Sequence, residues 1–323
     1  MAAPENPPPE RMSTEILGVD DVAIGRAAAL IRAGHCVAVP TETVYGLAAD
    51  ATSGEAVARI YAAKGRPAFN PLIIHVGNIA QAEQLAQLPP AAHRLAAAYW
   101  PGPLTMVLPA RAGSPIAALA TAGLATIAIR MPAHPAMRTL IAASGRPLAA
   151  PSANASGRIS ATSAAHVAAS LGDRVALILD GGAAQHGLES TIVAVDEDRL
   201  RLLRPGPIDA AALSLTAALP FADAVSGRIE APGQMSSHYA PAKPLRLDAT
   251  ARQPGEWLIG FGAVTGDDTL SASGDPIEAA ARLFDALHRA DAVPARGIAV
   301  APIPDDGIGI AINDRLKRAA APR

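Results

Sequence analysis

The chain has 323 residues, half of them hydrophobic, 17% charged and only 3% aromatic, with a formal net charge of −2. That length favours two domains over a single core, while the slight acidity and scarce aromatics argue against a protein whose main task is gripping nucleic acid. A lone cysteine excludes an intrachain disulfide and a cysteine-rich metal site; no apolar run approaches the roughly 20 residues that span a bilayer, and the Pro-rich start lacks a signal peptide's apolar stretch, so a cytoplasmic protein is expected.

In chain order, Asp21–Ala33 carries helical apolar spacing and stops at Gly34. Cys36–Pro40 is a short buried strand, and its thiol reads as structural, since a reactive thiolate needs an electropositive, partly exposed setting. Ser53 can cap a helix running to Lys64. Strands are predicted at Pro71–Val76, Leu104–Pro109, Thr126–Met131 and Leu148–Ala150, with two Ala-rich helical stretches between the first pair and a helix over His134–Ala143. Ser163–Leu171 reads as a helix, and Val175–Asp180, Thr191–Val195 and Arg199–Arg204 as later strands. This alternation predicts a three-layer α/β architecture whose late strand pair makes the sheet mixed. From Ser226 to Pro244 the chain is rich in Gly, Pro and Ser and reads as a linker. Beyond it, strand Trp257–Phe261, helix Pro276–Arg289, strand Ile298–Ala301 and a helix from Ile312 form a smaller α/β unit.

Four stretches place polar or basic residues at the strand ends where α/β proteins hold ligands. Thr41-Glu42-Thr43, inside Pro40–Leu47, is either a capped turn or a binding loop. Lys64-Gly65-Arg66, followed by Asn70 and His75, is by itself ordinarily explained by a helix C-terminus, with triphosphate oxygens as the alternative. His75, inside an apolar strand, reads by itself as a satisfied core histidine. Arg130 ends a strand with no acid evident nearby, which favours a bound carboxylate. Ala150-Pro151-Ser152-Ala153-Asn154-Ala155-Ser156-Gly157 makes a plausible anion-binding loop, and Glu189-Ser190-Thr191 and Arg204-Pro205-Gly206 repeat the design. The sequence contains no GxxxxGK[ST] loop, GxGxxG turn, HExxH helix or G-x-S-x-G elbow. Any phosphate site is therefore an unusual one.

The motifs PTETVYGL (40–47), KGRPAFNPLIIHV (64–76), WPGPLT (100–105), TIAIRMP (126–132), APSANASG (150–157), ESTIV (189–193), LRPG (203–206), SSHYAP (236–241) and IPDDGIGIAINDRLKRAA (303–320) occur in this order. Together they resemble the YrdC-type L-threonylcarbamoyladenylate synthases in their long, two-domain form. The resemblance implies a disordered tail over 1–15, a YrdC-like catalytic domain over 16–220 with a twisted mixed sheet, a linker or lid over 221–244, and a smaller Rossmann-like domain over 245–323. It also implies synthesis of L-threonylcarbamoyl-AMP and pyrophosphate from L-threonine, bicarbonate or CO₂, and ATP. The product would pass to a tRNA threonylcarbamoyl transferase that modifies the adenosine beside the anticodon.

By motif, Thr43, His75, Arg130, Ala150 and Ser190 would surround L-threonine. Arg66, Asn70, Thr126, Ser152, Ser160, Arg204 and Tyr239 would surround ATP. Lys64, Arg66, Ser152 and Asn154 would form the catalytic signature, with Lys64 and Arg66 neutralising charge as pyrophosphate leaves. Mg²⁺ is expected as a cofactor held mainly by ATP phosphates and water, since no carboxylate cluster is visible. Two other classes compete: an RNA-binding module, and a related carbamoyl-adenylate enzyme, whose usual zinc-finger and acylphosphatase-like modules the sequence lacks.

Overall fold

The computed structural model describes residues 14–222, 229–235 and 237–322. The tail assigned to 1–15 lies mostly outside these residues, and its last residue already belongs to a strand. Part of the linker, 223–228 and 236, is likewise outside them.

The first domain runs β1 (Glu15–Gly18), α1 (Asp21–Arg32), β2 (Val37–Val39), β3 (Gly46–Asp50), α2 (Gly54–Lys64), β4 (Ile73–His75), α3 (Ile79–Leu85), α4 (Pro90–Tyr99), β5 (Leu104–Pro109), β6 (Thr126–Arg130), α5 (Pro135–Ser144), β7 (Leu148–Ala149), α6 (Ala164–Leu171), β8 (Leu177–Asp180), β9 (Thr191–Val195), β10 (Leu200–Arg204) and α7 (Ala210–Ala217). Its strands form one sheet in the order β1-β8-β2-β3-β7-β4-β6-β5-β9-β10. The pairs β2/β3, β3/β7, β4/β7, β5/β6 and β9/β10 are antiparallel, so the sheet is mixed through its centre as well as at the late pair. The sequence reading missed β1, β3 and α7. In β3, Gly-Leu-Ala-Ala-Asp carries little strand propensity and is held by pairing on both sides.

Side chains alternate across the strands, and both faces are buried over much of the sheet. Ala38, Leu47, Ala49, Ile74, Ile127, Ile129 and Ile178 join α2, α4, α6 and α7 in one large core. On the opposite face, Val37, Val39, Ala48, Leu148, Leu177 and Leu179 pack against α1 and α5. Those two helices cover only half the width. Over β4, β6, β5 and β9 the same face carries Ile73, Ala128, Val107, Ile192 and Ala194, and its cover is linker residue Ala231 rather than a helix. This helix-free half of the sheet is where a pocket forms.

The second domain contains β11 (Leu245–Arg246), β12 (Glu256–Gly260), β13 (Asp268–Thr269), α8 (Pro276–Ala292), β14 (Gly297–Val300) and α9 (Gly309–Ala320), in a parallel sheet ordered β11-β14-β12-β13. Its core takes in Val44, Ile159 and Leu188 of the first domain and Tyr239 of the linker, so part of the interface is apolar. The backbones of the two domains approach closely there. A Cβ built on Gly187, which has φ +66°, would lie 2.3 Å from the Ala281 carbonyl oxygen. No helix among the described residues is long and apolar enough to cross a membrane.

Candidate active site

Because side chains alternate, Ile73 and His75 project from the same face of β4. Parallel pairing sets His75 directly beside Arg130 of β6. The pocket they floor is closed by the loop after β2, by Ala150–Ser152 after β7, by Glu189 and Ser190 before β9, by Arg204 at the end of β10, and by linker residues Pro232, Gly233, His238 and Tyr239. The site thus lies on an uncovered sheet face, not simply at strand ends.

The loop after β2 is shaped by Thr41, whose Oγ1 accepts from the backbone N–H of Thr43 (3.2 Å) and Val44 (3.3 Å). This turn aims Thr43 and Glu42 at Arg130. The guanidinium donates to Thr43 Oγ1 (2.9 Å), the Gly102 carbonyl (3.1 Å) and Glu42 Oε1 (2.5 Å). The acid that Arg130 lacked in sequence is therefore Glu42, 88 residues away along the chain. An unpaired guanidinium is no longer an argument for a bound carboxylate. Burial opposes ionisation of Glu42, but the charge and hydrogen bond of Arg130 outweigh it and hold the carboxyl at about 2. His75 is pushed down to about 3, first by burial and then by Arg130, so the imidazole is neutral at physiological pH. Its Nδ1 has no partner among the described residues, unlike a satisfied core histidine.

At the other side of the pocket, Ser53 caps α2 and Gly65 ends it in the left-handed region (φ +60°), which lets Arg66 turn back toward the pocket. Arg66 donates to the carbonyls of Asn70 (3.2 Å) and Pro71 (2.9 Å), and burial foremost lowers it to about 10. Arg204 grips the Ser190 carbonyl (3.0 Å) and Oγ (3.1 Å), and Ser190 Oγ also meets Thr105 Oγ1 at 2.7 Å.

Thr43, His75, Arg130, Ala150 and Ser190 all line this pocket, as do Arg66, Ser152, Arg204 and Tyr239. Lys64 and Asn154 do not. The Lys64 ammonium donates to the carbonyls of Ser152 (2.6 Å) and Asn154, while the Asn154 amide donates to the carbonyls of Ala155 and Arg158, both at 2.9 Å. These two residues brace the 152–158 loop from behind, in contrast to the expectation that Lys64 faces departing pyrophosphate. Asn70 is buried against Met235 of the linker (Nδ2 to Sδ 3.6 Å), and its Oδ1 has no partner among the described residues. Thr126 begins β6 on the same face as Arg130, four residues and about 13 Å away. Ser160 sits behind Glu189, donating to Oε1 at 2.5 Å.

Sequence reasoning assigned no role to Glu42, Glu189, Gly233, His238 or Arg315. All but Gly233 sit inside the quoted motifs, but only the fold reveals their partners. The linker fills the pocket: Tyr239 is 1% exposed and held at φ +63°, and its hydroxyl has no partner among the described residues. The remaining cavity measures about 40 Å³, far below the roughly 300–1,000 Å³ of small-molecule sites.

A family model described as telomere recombination matches residues 29–206, and one described as threonylcarbamoyl-AMP synthase, C-terminal domain, matches residues 208–321. The chain is 40% identical to the threonylcarbamoyl-AMP synthase of Bacillus subtilis, covering 96% of each chain. It is also 40% identical to that of Pyrococcus abyssi, covering 94% of this chain and 96% of the relative. The crystal structure of P. abyssi Sua5 complexed with L-threonine superposes with a TM-score of 0.85 at 36% identity, covering 96% of this chain and 97% of that one. Escherichia coli YciO, at 20% identity and a TM-score of 0.53 over 61% of this chain, shares the fold of the first domain. With matches running through both domains and the linker, the chain belongs to the threonylcarbamoyl-AMP synthase family in its two-domain form.

Proposed function

We propose that the chain condenses L-threonine, bicarbonate (or CO₂) and ATP to L-threonylcarbamoyl-AMP and pyrophosphate in this pocket, and that the product serves modification of the tRNA adenosine beside the anticodon. The observation that carries the reading is the division of the pocket wall. His75, Thr43 and Arg130 lie together at one side, while Arg66 and Arg204 supply two further buried guanidinium groups. A small amino acid suits the first group and phosphate oxygens the second.

In this reading the threonine amine attacks CO₂ and releases a proton to solvent, giving an N-carboxylate, which then attacks the α-phosphorus of ATP and displaces pyrophosphate. Neither step needs a protein nucleophile. The chain's contribution is positioning and fixed positive charge. Neutral His75 can accept a hydrogen bond at Nδ1, and Glu42 fixes the direction of the Arg130 fork. Lys64 acts through the 152–158 loop that it braces. Mg²⁺ fits best as a passenger of the nucleotide. The carboxylates at the site, Glu42 and Glu189, are both committed to arginines, which leaves phosphate oxygens and water as its ligands. It would neutralise phosphate charge there. Since the cavity is about 40 Å³ with the linker in place, ATP enters only after Pro232, Gly233, His238 and Tyr239 move. The product would be handed to a tRNA transferase in the cytoplasm.

The test is incubation with ATP, Mg²⁺, bicarbonate and each amino acid in turn. Pyrophosphate release that requires both L-threonine and bicarbonate is expected. Release independent of threonine, or a threonine-independent and steeply salt-sensitive RNA affinity, would overturn the reading.

A further inference from the structure

Arg315 is the largest fully buried side chain in the described residues, and it does not serve its own domain's core. From α9 it crosses the interface, donating through Nε to Glu189 Oε2 (2.8 Å) and through Nη2 to the Pro205 carbonyl (3.0 Å). Only Nη1 stays at home, on Asp314 (2.7 Å). Its Cζ stands 5.1 Å from the centre of the Tyr239 ring, within cation–π range. Burying a guanidinium is costly unless its donors are matched. Here the matching comes from the catalytic domain and the linker.

The contacts reach into the pocket. Glu189 lines it, with one oxygen on Arg315 and the other on Ser160. Its neighbour Ser190 is held by Arg204, through both the carbonyl and the hydroxyl. Tyr239 occupies a left-handed backbone conformation, which a non-glycine residue keeps only when its surroundings over-determine it. Those surroundings are Arg315 on the ring, Phe284 of α8 at 5.6 Å, and a second arginine of α9. Arg318 donates to the Met235 carbonyl (2.7 Å), and its own carbonyl accepts from the His238 N–H (3.2 Å).

We propose that Arg315 is a positioning residue for the nucleotide side of the pocket: from the C-terminal domain it fixes Glu189 and holds Tyr239 against the site. The proposal rests on the ATP reading given above. It assigns the C-terminal domain a part in the reaction, because α9 grips the segment that must move for ATP to enter. Arg315 thereby ties Glu189 of the pocket wall to the Tyr239 ring of the linker.

Hydrogen exchange of the full chain without nucleotide tests the contact directly. In Arg315→Ala, amides of residues 230–240 should exchange about tenfold faster, the scale of one desolvated cation–ring contact. In steady state the KM for ATP should fall about five- to tenfold, because the pocket-filling linker competes with the nucleotide, with kcat and the KM for L-threonine little changed. Arg315→Lys, which keeps a charge beside Glu189 but loses the fork, should fall between parent and alanine variant; it decides the matter if Arg315→Ala does not fold. Unchanged linker exchange in the folded variant overturns the proposal, as does a fall in kcat that merely tracks the fraction of folded protein. If the parent shows no threonine-dependent pyrophosphate release, the functional reading fails, and the exchange experiment still judges the contact.

Discussion

Replacing Glu42 by Gln removes one charge from a buried pair and leaves the shape intact. Arg130 stays in place on Thr43 and Gly102, now facing an amide. The carboxyl is held at about 2 against an ordinary value of 4.5. At 1.36 kcal/mol per unit, that difference amounts to about 3 kcal/mol of folded-state stabilisation at neutral pH. The same figure falls at the lower end of the roughly 3–5 kcal/mol expected when a buried ion pair loses one partner. The sign follows from the depressed value. Between pH 4.5 and 2 the unfolded chain binds the proton and the folded one does not, so this stabilisation is complete above about 4.5 and is lost as pH falls toward 2. Urea unfolding of parent and Glu42→Gln, followed by circular dichroism from pH 7 down to pH 3, reads both effects. A gap near 3 kcal/mol at pH 7 that shrinks on acidification is expected. Equal stabilities at pH 7, or a gap independent of pH, would refute the role assigned to the Arg130–Glu42 pair.

Three further outcomes are expected. Arg66→Ala should lower threonylcarbamoyl-AMP synthesis about 10²–10³-fold, the loss of one charge-stabilising contact, as measured by threonine-dependent pyrophosphate release; near-parent rates would remove Arg66 from the reaction. Gly233 has φ +88°, and a Cβ there would lie 2.7 Å from the Tyr239 hydroxyl and 2.9 Å from Arg204 Cδ. Gly233→Ala should therefore disfavour the closed linker, and limited proteolysis should cut residues 229–240 faster while the first domain stays intact. Cys36 is buried, and burial raises its thiol to about 12, so it should resist alkylation at pH 8 in the native protein and react fully in urea. Native-state alkylation at an ordinary thiol rate would contradict that placement.

The family and the reaction were legible in the sequence because ordered motifs survive as strings, whatever their geometry. Helix ends were legible for a local reason: Ser53, Gly65 and Gly145 act within one turn of where they stand. β3 escaped because its order comes from pairing with β2 and β7. Lys64 shows the same limit inside a motif, for the sequence declares a cation but not that Ser152 and Asn154 carbonyls, about 90 residues on, receive it.

What only the tertiary structure decided is how the pocket is enclosed and who pairs with whom. Arg130 looked unpartnered along the chain, and the fold gives it Glu42. A linker identified by composition proves to be the cover of the half-sheet that α1 and α5 leave bare. The buried arginine of the last helix takes its meaning from the other domain. The physical reason is common to all three. Motif chemistry is set by residue type, which the sequence states outright, whereas electrostatic pairing and burial depend on distances of a few ångströms between segments far apart in the chain.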